Sequence, residues 1–124
     1  MLRKSAIVLA TLGLLSTGGH VVAQQTGPNG GLLGGTGDHQ TELVVAPAEL
    51  TVYIIEHGKV GEAKGSTFRA VVQQAGKTKT INLASSDGKR LVGKLDAPLA
   101  KGAIVVITGT DHHGDKFNTR YVIQ

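Results

Sequence analysis

Lys116-Phe117-Asn118-Thr119-Arg120-Tyr121-Val122-Ile123 lies almost at the end of the chain, and its reading decides the fold. Phe117, Thr119, Tyr121 and Ile123 fall on one face of an extended backbone, and Lys116, Asn118 and Arg120 fall on the other. A period of two, with one packed face and one wet face, predicts a strand in an antiparallel sheet covered on one side only.

Working back from this run, six more runs carry the same signature: Thr41–Val45, Leu50–Ile55, Thr67–Gln73, Thr78–Leu83, Arg90–Leu95 and Ala103–Thr108. Val, Ile and Thr dominate them, and these β-branched residues suit a pleated surface. Leu50, Val52 and Ile54 share a face, as do Phe68, Ala70 and Val72. Turn signals separate the runs, among them Ala75-Gly76 and Asp87-Gly88; the latter is a hairpin signal. Seven short runs in the second two thirds of the chain predict an all-β, immunoglobulin-like sandwich of about seven antiparallel strands. A barrel is the competing arrangement, since strand pairing is not written in the runs. Phe68, Phe117, Tyr121 and Tyr53 are the expected large anchors of an otherwise aliphatic core.

The composition agrees. The 124 residues include 18 Gly and 3 Pro, which favour turns over long helices, and the length suits one domain. No Cys is present, which excludes a disulfide scaffold, thiol catalysis, iron–sulfur clusters and Cys-ligated zinc.

The N-terminus reads as an export signal. Arg3 and Lys4 precede the apolar run Ala6–Leu15, and Val21-Val22-Ala23 matches a small-residue cleavage site. The run is too short for a spanning helix. We therefore expect a signal peptide over 1–23, a Gly-rich lead-in over 24–38, flexible or loosely docked with Leu32-Leu33 as its anchor, and a single sandwich domain over 39–124. The expected location is periplasmic, with no membrane span. Loss of Arg3 and Lys4 leaves eleven Lys/Arg against nine Asp/Glu. So small an excess, without aromatic stacking platforms, argues against nucleic acid as a partner. The lead-in glycines do not make a phosphate cradle, because no Gly-Lys-Ser/Thr follows them.

His20 falls within the expected signal peptide, and the four remaining histidines sit at run boundaries beside carboxylates: Asp38-His39, Glu56-His57 and Asp111-His112-His113-Gly114-Asp115. If neighbouring runs alternate in direction, all four reach one pole of the sandwich. The candidate metal ligands are therefore His39, His57, His112, His113, Asp111 and Asp115, with Asp38 and Glu56 nearby. Imidazole and carboxylate donors without thiols suit Zn(II), Cu(II) or Ni(II), the first two being the leading expectation. The competing reading of each histidine is a solvated loop residue. Lys77, Lys79, Lys89 and Arg90 are candidates for one basic face touching anionic headgroups or an acidic envelope partner; the competing reading is a solvated face that blunts an edge strand. Ser66, Ser85 and Ser86 lack a nucleophile-elbow context, so no enzyme is expected.

Gly27-Pro28-Asn29-Gly30-Gly31, Asp38-His39, Glu42–Val45, Leu50–Ile54, Glu56-His57-Gly58-Lys59-Val60 and Gly88–Lys94 together carry a resemblance. The chain resembles small exported bacterial proteins related to the β-rich N-terminal region of periplasmic adaptor subunits of heavy-metal efflux pumps. Asn29 stands where a histidine is common, and Gln40 follows His39 where a second histidine is common. The hairpin and lipoyl-like regions of an adaptor are not represented. The resemblance implies a periplasmic role in metal homeostasis or heavy-metal resistance. The leading expectation is a non-enzymatic protein that binds or buffers a divalent transition metal. The alternative is a structural or protein-interaction module of the cell envelope without metal.

Overall fold

The structure is a computed structural model that describes residues 24–124. The expected signal peptide lies outside the described residues. Ten strands follow in chain order: β1 (Gln25–Thr26), β2 (Leu32–Thr36), β3 (His39–Val45), β4 (Glu49–Glu56), β5 (Lys59–Val60), β6 (Thr67–Gln74), β7 (Lys77–Leu83), β8 (Leu91–Lys94), β9 (Ile104–Thr110) and β10 (Lys116–Val122). Among the described residues there is no helix.

All pairing is antiparallel and divides into two sheets. The first runs β1-β2-β3-β4, with β5 and β8 both on the far side of β4. The second runs β10-β9-β6-β7. The chain crosses between sheets after β5, β7 and β8, which makes an immunoglobulin-like sandwich rather than a meander. At one edge the sheets meet through a single bridge, Ala84 to Val92, with N···O distances of 3.0 and 2.8 Å. Asp87-Gly88 therefore turns the chain back between strands of different sheets, not within a hairpin of one sheet.

The core lies between the sheets and follows the period-two pattern. Leu50, Val52 and Ile54 face Phe68, Ala70, Val72, Val105, Ile107, Phe117 and Tyr121, all buried. Tyr53 departs from the expectation. It sits on the outer face of β4, opposite Glu42 in register, because parity turns it away from its buried neighbours Val52 and Ile54.

The segment expected as a flexible lead-in is built into the first sheet. Leu32–Thr36 pairs with His39–Leu43, and Gln25–Thr26 pairs back on Leu32 and Leu33. Two contacts explain this. Leu32 packs against the core. Gly34 lies so close to Thr119 and Tyr121 of β10 that any β-carbon there would overlap them. The turn between β1 and β2 also folds over β3. The Glu42 carboxylate, fully buried, accepts hydrogen bonds from Asn29 N (2.9 and 3.1 Å), Asn29 Nδ2 (3.0 Å) and Gly31 N (2.7 Å). The Gly-rich turn thus does cradle an anion, and the anion is the chain's own.

Candidate metal centre

Strand direction brings one end of β3, one end of β4 and the β9–β10 turn to the same pole. His39 opens β3, and its ring stands edge-on to Phe117 of β10 at 5.6 Å between centroids. Phe117 in turn packs on Phe68 at 5.5 Å. The histidine therefore leans on the end of the aromatic core, at the junction of the two sheets.

The turn Asp111–Asp115 is shaped by its first residue. Asp111 N donates to Asp115 O at 3.0 Å, and Gly114 N donates to Asp111 O at 3.1 Å. Asp111 Oδ1 accepts from His113 N at 3.0 Å and from Asp115 N at 2.8 Å. One carboxylate oxygen is thus committed to the turn. The other, Oδ2, is buried without a hydrogen-bond partner among the described residues, in a residue only 3% exposed. A buried carboxylate oxygen in that condition is costly unless something compensates it.

Asp111, Asp115 and His39 offer one ligand atom each within 4.8 Å of one another. His39 Nε2 stands 4.0 Å from Asp115 Oδ2, too far for a hydrogen bond. Two ligands bound tetrahedrally at about 2.1 Å from an ion stand about 3.4 Å apart. The group, with its ligand atoms within 4.8 Å of one another, is wider than that spacing, and its side chains would have to draw together to meet an ion. Asp111 is the fixed member; His39 and Asp115 are half-exposed and free to adjust.

The structure divides the six candidate ligands. It joins His39 with Asp111 and Asp115 and leaves His57, His112 and His113 outside that group. His57 and Gly58 form the two-residue turn between β4 and β5, with φ of 50° and 77°. Positive φ at both central positions is the type I′ hairpin geometry, so His57 is spent on a turn. Its side chain is 78% exposed, with Nδ1 3.3 Å from Asp38 Oδ1. His112 and His113 crown the β9–β10 turn, exposed, with ring centroids 3.8 Å apart.

The four basic candidates do not form one face. Lys77 and Lys79 begin β7 at the pole away from the histidines; Lys89 and Arg90 follow its other end. Lys79 is ion-paired with Asp96, and Arg90 Nε donates to Asp87 Oδ2 at 2.7 Å. The backbone N–H groups of Arg90 and Lys89, and then the Arg90 guanidinium, hold the Asp87 carboxyl well below the usual carboxylate range. Lys77 and Lys79 do lie on an edge strand, where lysines discourage pairing with another chain.

Among the described residues no helix is long and apolar enough to cross a membrane. No family model, curated protein or solved structure matches the chain. The link to efflux adaptors therefore rests on the short motifs in the sequence alone.

Proposed function

We propose that this is a non-enzymatic protein of the periplasm that holds a divalent transition metal at His39, Asp111 and Asp115. The observation that carries the reading is Asp111 Oδ2, buried and unpartnered beside a histidine and a second carboxylate. One imidazole and two carboxylates make a harder donor set than a histidine cluster. Zn(II) fits it, with water in the remaining position; Cu(II) would gain from more nitrogen donors than the group supplies. An ion here would compensate the buried oxygen and tie β3 of one sheet to the β9–β10 turn of the other. The periplasmic assignment rests on residues 1–23 and the metal-homeostasis role on the resemblance above.

The test is zinc uptake by the mature chain, measured by titration calorimetry and elemental analysis. Wild type is expected to bind one equivalent. His39→Ala should abolish uptake. Asp111→Asn can keep the acceptor that shapes the turn while removing the free carboxylate oxygen, and should weaken uptake at least tenfold. Full uptake by both variants would overturn the site. No uptake by wild type would overturn the metal function and leave the interaction module.

A further inference from the structure

At the pole away from the histidines the two sheets part and leave a cleft of about 450 Å³. Val72 of β6 and Ile81 of β7 form one wall; Leu95, Ala97 and Leu99 of the β8–β9 connection form the other. Leu95 and Leu99 also pack on the core, so the floor of the cleft is continuous with it. The volume falls within the roughly 300–1,000 Å³ usual for small-molecule sites.

The wall contributed by the connection is held in place. Gln74 Oε1 accepts from Ala100 N at 3.0 Å, and Gln74 Nε2 donates to Pro98 O at 3.4 Å. Leu95 N donates to Ala48 O at 2.9 Å. The loop is thus fixed at three points, and its two leucines pack against the core.

The rim carries Lys77, Lys79 and Asp96. Lys79 and Asp96 neutralise each other as an ion pair. Lys77 has no carboxylate within 4.0 Å among the described residues. It lines the cleft, is exposed, and shares the face of β7 that carries the buried Ile81 and Leu83, which places a cation beside the apolar wall. Blunting the edge strand accounts for lysines on β7; it does not account for an apolar cleft beneath them.

We propose that this cleft binds a small amphipathic monoanion, an unbranched aliphatic carboxylic acid. The chain lies between Val72, Ile81, Leu95 and Leu99, and the carboxylate meets Lys77. One unpaired cation at an apolar mouth matches a single negative charge; a doubly charged phosphate head would stay half compensated. The inference is independent of the metal centre, which lies at the other end of the molecule.

The test uses the whole mature chain and three probes below micelle-forming concentration: decanoate, decyltrimethylammonium with the same chain and opposite head, and acetate with the head alone. Titration calorimetry should show saturable binding of decanoate only. Backbone amide shifts in NMR should centre on Val72, Ile81 and Leu95–Leu99. Lys77→Glu should weaken decanoate binding at least tenfold. Ala97→Trp, at an exposed loop position on the cleft wall, should abolish it. Circular dichroism confirms that both variants are folded. Equal binding of decanoate and decyltrimethylammonium, shifts centred elsewhere, or unchanged affinity in both folded variants would overturn the proposal.

Discussion

Tyr121 is 1% exposed, and its hydroxyl donates to Thr41 O at 2.7 Å with Thr41 Oγ1 also at 2.7 Å. Burial pushes the phenol up to about 12, against the opposing hydrogen bond from Thr41. The folded state thus holds this proton more tightly than the unfolded chain, whose tyrosine titrates near about 10. The contribution to stability is full below about pH 10 and is lost as pH rises toward about 12. Tyr121→Phe should cost about 1–3 kcal/mol at neutral pH, because Thr41 loses its partner. It should also remove this alkaline slope. Denaturant melts of both proteins from pH 9 to 12 would check it, since lysine titration is common to the two; parallel curves would contradict a buried phenol. His57 makes the opposite kind of case. Its positive φ belongs to a turn that Asn adopts more readily, so His57→Asn should change stability by no more than about 0.5 kcal/mol and leave zinc uptake intact. A loss of uptake in that variant would return His57 to the ligand set.

β4, β6 and β10 were legible because each repeats an apolar residue at every second position, and the sandwich buries those positions; β3, β7, β8 and β9 were legible through their Val, Ile, Leu and Thr content and the turn signals that bound them. β2 was not legible, for a physical reason. Leu32-Leu33-Gly34-Gly35-Thr36 has no alternation, and its place is set by contact with Thr119 and Tyr121, far along the chain. Glu42 was opaque in the same way: it points to the outer face of β3, and only the fold of the Gly27–Gly31 turn buries it. The gathering of the histidines at one pole was legible through strand parity. Which of the six candidates come together was not, because the paired histidines are conspicuous in sequence while the orientation of Asp111 is decided by the turn it closes. Gly34 tests the account of β2. Gly34→Val places side-chain carbon where Thr119 and Tyr121 stand and should cost about 1–3 kcal/mol by overpacking. Amide exchange should accelerate over residues 25–36 first, while β6 and β9 stay protected. Uniform acceleration would mean that β2 is not a separable layer.

At the scale of the whole molecule, the two proposed sites occupy opposite poles of one rigid core. The His39, Asp111 and Asp115 group joins β3 to the β9–β10 turn; the cleft lies between the start of β7 and the β8–β9 connection. The residues of one share no hydrogen bond or ion pair with those of the other. Sites separated in this way couple weakly, and their effects on stability add within about 0.5 kcal/mol. A ligand that binds only the folded state at a hundred times its dissociation constant stabilises it by about 2.7 kcal/mol. Zinc and decanoate, each at that excess, should therefore raise the unfolding free energy by similar amounts and together by nearly the sum. Asp111→Asn should remove the zinc increment alone, and Lys77→Glu the decanoate increment alone. Denaturant melts of the three proteins with neither, either and both ligands make a complete cycle. A coupling above about 1 kcal/mol would exceed that margin. It would mean that the aliphatic core between Ile81 and Phe117 transmits a change from one pole to the other.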